Sequence, residues 1–290
     1  MSSILFGTKA VLVKIAMETG LTPIDIVFFR FLFATFVLGI YILIRHTDLH
    51  LNKGQFWQLV FLAIVGYAMM NLTYYGAFHR MSVSLTGMLH YIYPAAALVI
   101  ARMVFHDNIT KKQCIAVILA IGGAMLLSLG DISQIDPWGL VLALLSGIFY
   151  GTYAVGLGRP ALKELDGIAI VFYLCLFSTV FLGIFEGIRG LNPFAIISLE
   201  GLVLMLVVAI FCTAFSMMMF RQAIVAIGSV STTILSTLEP ITVVILSLIL
   251  FDESFNIVMT LGALLILIAV GLTVERQKQE KSRVKNDETL

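Results

Sequence analysis

The run Ile24-Asp25-Ile26-Val27-Phe28-Phe29-Arg30-Phe31-Leu32-Phe33-Ala34-Thr35-Phe36-Val37-Leu38 returns 144 residues later as Ile168-Ala169-Ile170-Val171-Phe172-Tyr173-Leu174-Cys175-Leu176-Phe177-Ser178-Thr179-Val180-Phe181-Leu182. The same offset pairs Gly7-Thr8 with Gly151-Thr152 and Ala10-Val11 with Ala154-Val155. After a slip of two residues the register continues, matching Ala63 with Ala209, Ala77 with Ala223, Pro94 with Pro240 and Phe105 with Phe251. Self-similarity on this scale decides the architecture before any local motif does. The chain is built from two related halves, and both are almost wholly apolar.

Sixty per cent of the residues are hydrophobic and 12% charged, against roughly 45–50% and about 25% in ordinary soluble domains. Mean hydropathy is +1.04. A soluble fold this apolar needs a charged surface that 18 basic and 17 acidic side chains do not supply. A formal net charge of +1 gives no footprint for nucleic acid. Cys114, Cys175 and Cys212 lie inside apolar runs, where a thiol behaves as a small hydrophobe; no disulfide, metal site or cofactor is expected. The apolar start lacks a cleavage-type end and flows into a second span, unlike a signal peptide. Two related apolar halves in a membrane protein are the pattern of a transporter.

A helix needs about 20 apolar residues to cross about 30 Å of hydrocarbon. The apolar runs predict ten such spans. The first half supplies 3–18, 24–45, 55–78, 84–105 and 112–130; the second supplies 138–158, 167–188, 199–224, 228–251 and 255–275. Turns are marked by Leu21-Thr22-Pro23, Asp136-Pro137 and Asn192-Pro193. Strand alternation is absent, and an open sheet edge cannot face lipid. The expected fold is therefore all-α and integral to the membrane: ten transmembrane helices as two five-helix repeats, residues 3–130 and 138–275, with a basic cytoplasmic tail at 276–290. Span 1 is short and holds Lys9 and Lys14, which leaves the start of the first helix open.

Five is an odd number, so the second repeat must enter the bilayer inverted. With the N-terminus inside, cytoplasmic segments hold Arg45, Lys53, Lys111, Lys112, Arg159, Lys163, Arg276, Lys278, Lys281, Arg283 and Lys285. The outer connections hold only Arg80 and Arg189. That asymmetry predicts a multi-pass protein of the cytoplasmic membrane with both termini cytoplasmic.

Charges deep in a span cost a few kcal/mol each and mark candidate functional sites. Glu239 lies mid-span in Ser236-Thr237-Leu238-Glu239-Pro240. Pro240 cannot donate a backbone hydrogen bond and frees a carbonyl in the turn before it. Glu239 reads either as a protonated or paired residue tying helices together, or as the group that meets a cation, a proton or a substrate amine. Its counterpart is Tyr93, before Pro94, in His90-Tyr91-Ile92-Tyr93-Pro94. Paired interruptions at corresponding positions of two halves are the best sequence pointer to a binding site.

Arg30 lies about 9 Å into span 2 at 1.5 Å per residue. It is either a substrate anchor, gripping a carboxylate or phosphate, or half of a structural ion pair with Glu239. Lys14 is one heptad after Gly7 and shares its face, so it is a cavity candidate. Lys9 lies about 140° away around the helix and is expected to snorkel inward. His90 is either a proton relay or a packing residue. Asn71 and Tyr75 share a helix face at i, i+4 and could line the same cavity. Arg102 and Arg221 are expected to anchor helix ends.

Phe6-Gly7-Thr8, Lys14 and Arg30-Phe31, weakly repeated after residue 149, resemble the opening of the EamA repeat. So does Leu238-Glu239-Pro240 with downstream Phe251-Asp252-Glu253. The resemblance covers about residues 3–274 and places the chain among the drug/metabolite transporters. Phe6 stands where the family commonly has tryptophan. The resemblance implies ten helices, an inverted repeat and alternating access, often for export of amino acids or other small metabolites. The sequence itself shows no metal-ligand cluster, nucleophile–base pairing or nucleotide loop, so an enzyme is not expected. Combined with the deep polar residues, the resemblance predicts a zwitterionic or small polar substrate between Arg30 and Glu239, near Tyr75, His90 and Tyr93. A nucleotide-sugar or organophosphate carrier is the alternative. The partners are that substrate and the lipid bilayer, with proton coupling and a homodimer left open.

Overall fold

In hydrocarbon every backbone amide and carbonyl must find its partner within the chain, and a long apolar run does so as a helix. The computed structural model describes residues 2–18, 20–78, 80–81, 83–127, 136–162, 164–190, 194, 197–242, 245 and 257–287, and every regular element among them is helical. In chain order these are α1 (Ser2–Glu18), α2 (Pro23–Arg45), α3 (Lys53–Phe61), α4 (Met69–Phe78), α5 (Val83–His90), α6 (Tyr93–Met103), α7 (Lys111–Leu127), α8 (Pro137–Leu157), α9 (Gly167–Ile188), α10 (Leu199–Val207), α11 (Ser216–Ile227), α12 (Ser229–Ser236) and α13 (Ile257–Asp287). Among the described residues, five continuous helical runs are long and apolar enough to cross a membrane: Pro23–Arg45, Lys53–Ala77, Pro137–Leu157, Gly167–Ile188 and Leu199–Ile227. Tyr93–Met103 and Thr260–Thr273 are shorter apolar helices. The molecule is a multi-pass helical membrane protein.

Local chemistry sets where the helices begin. Thr22 and Asp25 form a capping box at α2, with Pro23 in the first turn, where its missing amide costs nothing. Asn52 and Gln55 repeat the device at α3, and Asp136 caps α8 ahead of Pro137.

Two irregularities occur in each half. α3 continues into α4 through a π-helical stretch, Leu62–Ala68, and α10 continues into α11 through another, Val208–Phe215. These are the stretches that contain the paired Ala63 and Ala209. The expected spans 84–105 and 228–251 are not single helices. The first breaks at Tyr91-Ile92, between α5 and α6, and the second at Thr237-Leu238, with helix resuming at Glu239. Each break falls just before a proline, Pro94 or Pro240, which has no amide to continue the ladder.

Packing across the two halves is reciprocal. A Cβ on Gly7 of α1 would lie 2.7 Å from Thr242 Cβ and 3.0 Å from the Glu239 carbonyl oxygen. A Cβ on Gly151 of α8 would lie 2.8 Å from the Ala97 amide nitrogen and 3.1 Å from the Tyr93 carbonyl oxygen. So α1 presses on the break of the second half while α8 presses on the break of the first. Likewise α2 packs against Val208–Phe215 and α9 against Leu62–Ala68, where Ser178 donates to the Ala63 carbonyl at 3.1 Å. Thr35 and Thr179, equivalent in the repeat, face each other with hydroxyls 3.5 Å apart.

Candidate functional site

The two breaks, α1, α4 and α8 converge on a cavity of about 100 Å³. From α1 come Phe6, Lys9 and Val13, spaced to lie on one helical face. Met70, Asn71, Tyr74 and Tyr75 come from α4, with Tyr67 from the π stretch before it. The break of the first half adds His90 and Tyr91, α8 adds Tyr150, and the break of the second half adds Glu239.

Glu239 opens the helical turn after Thr237-Leu238, so its side chain leaves a helix start rather than a helix middle. Lys9 lies with Nζ 4.9 Å from the centroid of the Phe6 ring. The two charges act on one another electrostatically, yet among the described residues neither is in a direct ion pair. Both keep partial exposure.

Arg30 stands one layer behind this wall. It is wholly buried, and its Nη2 donates to Asn71 Oδ1 at 2.9 Å. Asn71 in turn donates to the Tyr67 carbonyl at 2.7 Å, which orients its amide oxygen toward the guanidinium. Arg30 also packs over the rings of Phe31 at 4.8 Å and Tyr67 at 5.9 Å. Its Nε and Nη1 have no hydrogen-bond partner among the described residues. Asn71 and Tyr67, which Arg30 touches, thus carry the influence of a buried cation to the cavity surface. Arg30 is not ion-paired with Glu239; its bonds go to neutral groups.

His90 is tied to α8. Its Nδ1 lies 2.8 Å from Ser146 Oγ, and that hydroxyl donates to the Ala143 carbonyl at 2.6 Å. With the hydroxyl proton so used, Ser146 accepts and Nδ1 donates. Around the imidazole lie Tyr74 at 4.7 Å, Tyr93 at 5.5 Å and Tyr150 at 5.7 Å between ring centroids. Tyr93 is fully buried in a second row, 4.9 Å from Tyr150, and its hydroxyl has no partner among the described residues. Pro94 and Pro240 create the breaks without joining the wall.

Of the residues singled out from sequence, Asn71, Tyr75, His90 and Glu239 meet at one cavity, with Arg30 and Tyr93 immediately behind it. The side chain of Lys14 lies outside the described residues, as do Phe251, Asp252 and Glu253. Lys9 does not snorkel to a helix end; it enters the cavity because the break in the second half sits beside α1. Tyr150 was missed too, although the 144-residue offset makes it the counterpart of Phe6. Tyr74 and Tyr91 gave no signal in a chain with so many aromatics.

A set of polar bonds converges on Gly156–Leu162. Gln58 donates to the Gly156 carbonyl and Gln55 to the Ala161 carbonyl, each at 3.0 Å. Buried Arg221 donates to the Leu162 carbonyl at 2.9 Å. Arg159 grips Asp107 through two hydrogen bonds of 3.3 and 2.8 Å and lies 3.8 Å over the Phe105 ring. Near that segment a wider, open depression of about 530 Å³ includes Arg45, Asp48, Glu164 and Asp166. No group of histidine, cysteine and carboxylate side chains among the described residues is placed to hold a metal ion.

A model of the EamA-like transporter family matches residues 1–129 and 137–275. A relative from Archaeoglobus fulgidus, named as an uncharacterized transporter, is 21% identical over 283 residues, which is 96% of each chain. A solved crystal structure superposes with a TM-score of 0.77, covering 96% of this chain and 98% of that one at 13% identity. That last likeness is one of fold alone.

Proposed function

The chain belongs to the EamA-like transporter family, and on that premise we propose that it is a secondary transporter exporting a small polar metabolite across the cytoplasmic membrane by alternating access. The observation that carries this reading is the cavity between two broken helices, with the carboxylate of Glu239 exposed in it. Helix breaks at corresponding depths of two halves are where transporters place their substrate.

The same reading takes the chain as ten transmembrane helices in two inverted repeats, with both termini cytoplasmic. Its support is the reciprocal packing of Gly7 on the Glu239 break and Gly151 on the Tyr93 break, together with the excess of lysine and arginine on one side. In that orientation the Gly156–Leu162 latch closes the cytoplasmic end. Substrate binding near Glu239 and release of the latch would be successive parts of one cycle.

A cavity of about 100 Å³ is well below the roughly 300–1,000 Å³ that holds drug-sized ligands. That favours a small metabolite over a nucleotide sugar, although Lys9 and Arg30 are cations an organophosphate would use. The test is export from a bacterial host, with metabolites in medium and cytosol compared by untargeted mass spectrometry. Glu239→Gln is expected to abolish accumulation of the exported compound while leaving the protein folded in the membrane. Full activity in that variant removes Glu239 from the site.

A further inference from the structure

We propose that the substrate occupies this cavity as a net anion, its carboxylate held by Lys9 and backed by Arg30; the proposal rests on the transporter reading above and specifies its substrate class. The argument is one of charge. Among the described residues the charged groups at or beside the cavity are Lys9, Arg30 and Glu239. Other buried charges lie away from the cavity and bond there, although Glu186 Oε2 and Arg221 Nε and Nη1 also lack partners among the described residues. Asp25 accepts from the Thr22 amide at 2.9 Å, Glu186 pairs with Arg189 at 3.4 Å, and Arg221 donates to the Leu162 carbonyl. The cavity region therefore holds two cations against one carboxylate.

Uncompensated charge is expensive away from water, and here the excess is positive. Aromatic faces soften it, but no second carboxylate among the described residues beside the cavity cancels it. Arg30 spends one nitrogen on the neutral amide of Asn71 and leaves Nε and Nη1 without partners. Lys9 rests against the face of a phenylalanine ring and lies within electrostatic reach of both Glu239 and Arg30. A zwitterion would leave the excess in place, and a cation would double it. An anion cancels it. Lys9 is the cation on the wall and so touches the substrate. Arg30 acts through Asn71 and Tyr67 and is a positioning residue.

The purified full-length protein in proteoliposomes, assayed by counterflow, tests this with three labelled probes of similar size: pyruvate, alanine and ethanolamine. Pyruvate is expected to exchange fastest. Lys9→Gln should cut that exchange by about tenfold or more, as loss of a charged hydrogen bond does, and Lys9→Arg should restore most of it. Circular dichroism and gel filtration confirm that each variant is folded. Faster exchange of alanine or ethanolamine overturns the anionic assignment and keeps the transporter. Undiminished pyruvate exchange in Lys9→Gln overturns the role of Lys9. Exchange of none of the three by folded protein overturns the proposal and the transport reading together.

Discussion

Arg30 shows what a single buried charge does to a membrane protein. It is wholly enclosed, with two guanidinium nitrogens unpartnered among the described residues and no carboxylate beside it. Replacing such a group by a hydrophobic side chain of similar volume removes the desolvation cost of an unpaired buried charge. Set against that is one hydrogen bond to Asn71. Arg30→Met is therefore expected to raise stability by about 1–3 kcal/mol, read as a higher midpoint of thermal unfolding in detergent, while transport falls. A lower midpoint would mean that Arg30 is structural. Depth made Arg30 and Glu239 legible in the sequence, since a polar group far from water must have a reason to be there, whereas Asn71 was read from the helix face it shares with Tyr75 and His90 from its place one turn before Pro94. Lys9 was not legible. Its position near the start of a short helix favoured snorkelling, and only the tertiary placement of the Glu239 break beside α1 overturns that.

At the scale of the element, proline announced both helix breaks, and the structure puts them where Pro94 and Pro240 require. The π-helical stretches Leu62–Ala68 and Val208–Phe215 had no such announcement, because a π-bulge has no residue of its own and follows from how neighbouring helices pack. The glycines lie between these cases. Gly7 and Gly151 stood out as repeat identities, but only the geometry shows that they let α1 and α8 close onto the breaks. Gly7→Ala is expected to cost about 1–3 kcal/mol by overpacking, since the added carbon meets Thr242 and the Glu239 carbonyl. Gly122 on α7 is the control: a Cβ there meets nothing within 4 Å, so Gly122→Ala should be neutral or stabilising by up to about 1 kcal/mol. Equal unfolding midpoints for the two variants would remove the close approach as a determinant of the fold.

At the scale of the whole molecule, the proposed alternating access requires that one end open when the other closes, so the contacts proposed to close the cytoplasmic end must be individually weak. The latch fits that demand. The Arg159–Asp107 pair has side chains 17% and 43% exposed, and an exposed pair of this kind contributes about 0–1 kcal/mol. The other bonds end on backbone carbonyls of Gly156–Leu162, which a modest shift of that segment would break together. Asp107→Asn should consequently tilt the balance toward an open latch by no more than about fivefold, the equivalent of ~1 kcal/mol. Cys212 is a native reporter, buried at 2% exposure on the π stretch of the second half and within electrostatic reach of Lys9. In a Cys114→Ser background, which removes the exposed thiol, a membrane-impermeant maleimide applied from the latch side should label Cys212 about two- to fivefold faster in Asp107→Asn. Unchanged labelling would mean that the pair does not limit opening and that the hold on Gly156–Leu162 rests on Gln55, Gln58 and Arg221. Because the two halves pack reciprocally around the cavity, faster opening at this end carries a second consequence: the same variant should show altered exchange of any transported substrate without a change at a single residue of the cavity wall.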